Sequence, residues 1–161
     1  MRRVVAVAAV ASVGVIATGL ERAAAAEPDF PAGVACAFPL DLDAVDNRKV
    51  HEFTDANGND VQLITGLAGP VTFANTDTGA SLTGPARGAT WRIVTSQDGR
   101  TTTFTATGNF VLILFPTDVP AGPSTTFYVG RVVFTIDNLT GVFTLQETRG
   151  RATDLCAALS G

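Results

Sequence analysis

The chain reads as an all-β domain, a single antiparallel meander of about eight strands forming a closed or nearly closed barrel, with a Pro-rich N-terminal lead-in and a short C-terminal helix. Three observations predict this. Threonine, valine and phenylalanine dominate short runs in which apolar and polar residues alternate, the period of a half-buried pleated strand. Between the runs lie turn formers such as Asn57-Gly58, Asp98-Gly99 and "DNLTG", which supply the positive-φ and side-chain-capping residues of hairpin loops. These loops are too short for crossover connections, so consecutive strands pair antiparallel, and closing the meander into a barrel removes its exposed edges. A two-sheet sandwich obeys the same alternation and is the runner-up architecture.

Residues 1–26 form the first element. Arg2 and Arg3 precede an apolar run from Val4 to about Leu20, then the small-residue tract Ala24-Ala25-Ala26, the order of a cleaved secretory signal peptide. The Arg pair also raises twin-arginine export, but "MRRVVA" suits the general secretory route better. Cleavage before Glu27 takes 26 of 161 residues and leaves 135, enough for one domain. It also removes Arg2, Arg3, Arg22 and Glu21, so the net charge falls from −4 to −6. An acidic chain with no run of Lys or Arg is not expected to bind nucleic acid, nor does it span a membrane after cleavage.

Residues 27–48 carry Pro28, Pro31 and Pro39 without a sustained period, and read as an extended lead-in. Residues 49–161 hold the barrel and its C-terminal helical segment. The strands expected there are 50–54, 61–65, 70–75, 80–84, 89–95, 101–115, 127–136 and 141–148, the sixth bent at Gly108. Alternation turns Trp91, Ile93, Phe104, Ala106, Val132, Phe134, Ile136, Phe143 and Leu145 inward.

One stretch breaks the rule. "FVLILF", 110–115, is apolar throughout. Phe110, Leu112 and Leu114 share the inward parity of Phe104, which leaves Val111, Ile113 and Phe115 outward as a stripe too oily for water. The stretch is far too short to span a bilayer as a helix. The expected cover is the chain itself, through the lead-in residues Val34, Phe38 and Leu40 or the "LCAAL" helix. Cys36 and Cys156 flank the body, and in an oxidising compartment they are expected to form a disulfide that holds both covers in place.

Little in the sequence promises catalysis. His51 is the one imidazole, and no nucleophile elbow accompanies it. "DANGND" sets Asp55, Asn57 and Asn59 at calcium-loop spacing, but Asp60 stands where Gly is needed and Gly66 where a bidentate Glu should be, so it reads as a hairpin turn. No metal site and no cofactor is expected. Most acids lie in loops, and Glu52 and Glu147 have opposite parities, unlike a glycosidase pair.

The candidate ligand-binding cluster is His51, Tyr128, Glu147 and Arg149. If the first barrel strand closes against the last, His51 and Glu147 meet at one rim, Arg149 follows one step beyond, and all point inward with Tyr128.

"VTFANTDTGASLTGP", "TFTATGNFVLILFPTDVPAG" and "GRVVFTIDNLTGVFTL", with a Cys at each end, resemble the small secreted β proteins of unknown function found in actinobacteria. That resemblance implies export and an all-β fold, and no activity. In plan the chain is similar to allene-oxide-cyclase-like and lipocalin-like barrels, an analogy of fold alone. The expectation is a secreted, non-catalytic binding or envelope-associated domain. The alternative is a cofactor-free, cyclase- or isomerase-like barrel enzyme, or a carrier, acting on a small apolar ligand in its lumen. The partners either reading admits are such a ligand or a second copy of the chain.

Overall fold

The structure, a computed structural model, describes residues 27–44 and 48–161. The signal-peptide reading of 1–26 lies outside the described residues. Seven strands and one helix follow: β1 (Leu40–Ala44), β2 (Lys49–Thr54), β3 (Asp60–Asn75), β4 (Ser81–Thr95), β5 (Thr101–Leu114), β6 (Ser124–Asp137), β7 (Phe143–Asp154) and α1 (Leu155–Leu159). The strand count differs from the sequence reading for a local reason. The runs expected at 61–65 and 70–75 are one strand, and so are 80–84 and 89–95, because bulged pairing around Leu67 and Gly88 absorbs the glycines without ending the ladder. A further strand, β1, arises from the end of the lead-in.

Among the described residues all pairing between the named strands is antiparallel, in the order β1-β3-β4-β5-β6-β7, with β2 also on β3. β2 pairs with residues 60–65 of β3 and β1 with residues 71–75, so the two lie end to end along one edge. The four hairpin turns sit where the sequence places them. Gly58, Gly79, Gly99 and Gly141 all take positive φ, and Asp55, Asn75, Asp98 and Asp137 accept backbone N–H bonds at each turn.

This continuous path folds into two antiparallel sheets because of a line of glycines. Gly108, Gly130 and Gly150 face one another across β5, β6 and β7, all at positive φ. A Cβ on Gly130 would collide with the carbonyl of Arg149, and one on Gly150 with the carbonyl of Val129. Strands can crease this sharply only where the concave side carries no side chain. Before the crease lies a base layer of β2 and residues 60–65, 89–95, 101–107, 131–137 and 143–149. Beyond it β5, β6 and β7 continue as a three-stranded ribbon, with no ladder to residues 81–89 of β4.

Two cores follow. The first joins Trp91, Phe104, Phe134 and Phe143 of the base layer to Phe110, Leu112, Leu114 and Tyr128 of the ribbon. Every apolar residue assigned inward by alternation belongs to it except Ile93. The second lies on the ribbon's other face, where Val111, Ile113 and Phe127 meet Phe73, Leu40, Ala35, Cys36, Phe38, Leu155 and Leu159. Residues 110–114 of "FVLILF" are therefore apolar on both sides because they are packed on both sides, and lead-in and helix cover them together. The Cys36–Cys156 disulfide fastens that cover, with Cα atoms 5.5 Å apart across a separation of 120 residues. Two buried hydrogen bonds add to it, Thr125 Oγ1 to the Ala35 carbonyl at 2.9 Å and Asn75 Nδ2 to the Leu159 carbonyl at 3.0 Å. Asp154 caps the helix by accepting from Ala157 N.

Closure differs from expectation. Among the described residues no ladder joins β7 to β1 or β2. The outer edge of β7 instead receives the loop residue Val119, whose N–H donates to Phe143 and whose carbonyl accepts from Leu145. A creased two-sheet arrangement, close to the runner-up architecture, stands where the closed barrel was expected.

Candidate functional site

The four candidate residues fall in three places. Tyr128 faces inward as expected, stacked on Phe110 with ring centroids 5.7 Å apart, and burial pushes its hydroxyl pKa up. His51 lies on the edge strand β2, exposed, its ring 5.7 Å from that of Phe53. Glu147 and Arg149 point to the face opposite Tyr128.

A bulge causes that reversal. Phe143 and Leu145 pair with Ile136 and Phe134 and face the core, but the register shifts at Gln146, so that Glu147 opposes Val133 and Arg149 opposes Arg131. A bulged residue flips the parity of everything after it. The inward placement of Glu147 and Arg149 is thereby corrected to outward.

The closure register changes as well. His51 and Glu147 occupy one row of the base layer, running His51, Leu63, Arg92, Thr105, Val133, Glu147 across six strands. They share a face but stand at the two ends of the row, five strand spacings or about 24 Å apart along the sheet.

What assembles around Glu147 is an ion-pair cluster. Arg131 Nη1 donates to both carboxylate oxygens at 2.8 and 2.9 Å, and Arg149 Nε lies 2.7 Å from Oε1. Two cations directly opposite on neighbouring strands repel, and the single carboxylate set between them offsets this. Arg131 was missed as a partner because a hairpin closed at 137–142 pairs Ile136 with Phe143, and counting back places Arg131 opposite Thr148. The bulge shifts it by one.

Rings pack against one another in the interior. Phe104 stacks on Phe134 at 4.6 Å, Phe143 lies 4.5 Å from Phe134, and Trp91 meets Phe110 and Phe134 edge-on at 5.5 and 6.1 Å. Offset and edge-to-face contacts of this kind add about 0.5–1.5 kcal/mol each beyond area burial. Trp91 Nε1 is buried in this cluster without a hydrogen-bond partner.

Among the described residues no group of three or more His, Cys, Asp or Glu is placed to hold a metal ion, and no helix is long and apolar enough to cross a membrane. Comparison of the chain with protein-family models, with curated proteins and with solved structures finds no match.

Proposed function

We propose that this chain is a secreted, non-catalytic binding domain that works at the cell envelope or in its surroundings. The observation that supports the reading is the ring packing between the two layers. Six rings from β4, β5, β6 and β7 interlock where a lumen enzyme or carrier needs space for its ligand. The disulfide supports an oxidising compartment, and the leader-like order of residues 1–26 supports export with cleavage before Glu27. On this reading the creased sheet is a nearly closed barrel whose gap beside β7 is partly taken up by Val119.

The test has two arms. The protein recovered from its host is expected outside the cytoplasm, beginning within two residues of Glu27, and to bind purified envelope material saturably. Recovery from the cytoplasm, or no retention on the envelope, would sink the reading.

One observation favours the second reading, a carrier or enzyme acting on a small apolar ligand. The unpaired Nε1–H of Trp91, in the same core as the half-buried Tyr128, is a donor that a ligand oxygen could satisfy. Stoichiometric uptake of an apolar fluorescent probe that quenches Trp91, the chain's single tryptophan, would move the conclusion there.

A further inference from the structure

An acidic chain gathers exposed cations on one face of its base layer. Of the eight Lys and Arg residues after position 26, Lys49, Arg92, Arg131 and Arg149 project from the outer face of the base layer, and Arg151 continues the alternation past the crease. All five are exposed. No cluster shows in the sequence, because the residues come from four different strands and only the register aligns them.

The acids of the turns are mostly engaged locally, although Asp55, whose pKa is lowered first by its hydrogen bonds with Asn59, also interacts electrostatically with Arg92. Asp55, Asp98 and Asp137 sit in the hairpin turns and are engaged there by their own backbone N–H groups. Asp137, at the turn end of β6, and Glu147 both fall on the parity of the cationic face, and Glu147 already shares its charge between Arg131 and Arg149. Only Nη1 of Arg131 and Nε of Arg149 take part in that clamp, and the Arg149 side chain remains 78% exposed. Neither hydrophobic core includes any residue of this face.

The spacing points to one kind of anion. Lys49, Arg92 and Arg131 stand on β2, β4 and β6, alternate strands of the layer, so successive charges lie about 10–12 Å apart across the sheet. That is close to the length of a disaccharide. The hydroxyls of Thr90, Thr105 and Thr107 lie between the cations and suit sugar hydroxyls. Among the described residues the rings of this face, His51 and Phe53, sit at its far edge on β2, so it offers no stacking platform for bases. Between the cations its apolar members Leu63 and Val133 are half-buried within the sheet, Val61 is buried, and the one exposed apolar ring, Phe53, stands at the β2 edge away from them.

We infer that the outer face of the base layer binds a linear acidic polysaccharide with one carboxylate per disaccharide repeat, laid across the strands from β2 to β7. The inference rests on the binding-domain reading and gives it a surface and a ligand chemistry. Guanidinium groups hold the carboxylates, and threonines hold the intervening hydroxyls.

A hyaluronan oligosaccharide is the probe, with calorimetry as the readout. Saturable binding that weakens as salt rises is expected, and Arg92→Glu should weaken it by about tenfold or more. Arg100→Glu, which reverses a charge in the β4–β5 turn, should leave it unchanged. Arg92 and Arg100 are both exposed, melts beside the calorimetry report the cost of setting Arg100→Glu next to Asp98 and Asp137, and Arg149→Gln provides a second, independent reduction of affinity. Absence of hyaluronan binding, equal binding by Arg92→Glu, or tighter binding to phosphatidylglycerol vesicles or single-stranded DNA overturns the inference. Envelope retention without hyaluronan binding would remove this surface assignment alone, whereas loss of both would remove the binding-domain reading too.

Discussion

Tyr128 is the chain's single tyrosine, so its ionisation can be followed without interference. Burial against Phe110 disfavours the phenolate and raises the pKa above 10.0. A group whose folded pKa is raised gives stability that is complete below the unfolded value and disappears as pH climbs through the folded one. Absorbance titration should therefore place Tyr128 above a free tyrosine, with stability falling only on the alkaline side of pH 10. Asp137 behaves in the opposite sense. Backbone N–H groups of Thr140 and Leu139 bond its carboxylate and lower its pKa from 3.8. Its contribution is present above the usual carboxylate value and is lost as pH falls through the lowered one. Asp137→Asn should reduce stability at neutral pH and flatten the acid limb of the melting profile, and an unchanged acid limb would show that the turn does not depend on the charge.

The crease and the double-sided strand govern the element scale. Gly130→Ala brings a Cβ against the Arg149 carbonyl at positive φ, and should cost roughly 2 kcal/mol or more. Gly79→Ala has the same sign of φ but open space around it, and should cost about 1 kcal/mol. Equal denaturation midpoints for the two would mean that the crease is not set by contact. Ile113 tests the second core. Ile113→Asp leaves a charge between the ribbon and its cover, and should destabilise the monomer by more than ~3 kcal/mol rather than dissociate an oligomer. Ultracentrifugation beside thermal melts separates these results. The doubly apolar run, the bend at Gly108 and the cover over Val111 and Ile113 were legible in the sequence because each follows from parity and turn chemistry. The merger of four short runs into β3 and β4 was not, because glycine breaks a pattern on paper without having to break a ladder. Nor was the Gln146 bulge, which leaves alternation intact on either side and shows itself only in the partner strand. That single residue turned Glu147 and Arg149 away from Tyr128 and created the Arg131–Glu147–Arg149 cluster, while His51, expected inward, was separated by its outward place on the unclosed edge strand β2.

At the scale of the whole molecule, the cover, the ribbon and the base layer are stacked in that order, and the disulfide joins the first to the end of the chain. Reduction should lower stability by about 4 to 5 kcal/mol if the chain-entropy account of so long a loop holds. The outer core should loosen before the inner one, which hydrogen exchange would show as earlier loss of protection at Val111 and Ile113 than at Ala106 and Val132. The same bond settles how the domain meets mechanical load. Cys36 and Cys156 enclose every strand, so tension applied at the two ends of the chain runs from one sulfur to the other and bypasses the sheet. A domain loaded in this way acts as a short inextensible link, suited to a molecule tethered in flowing or growing surroundings. Stretched singly between its ends, the oxidised protein should yield only its tails, whereas the reduced protein should release the 120-residue loop, about 400 Å of extended chain.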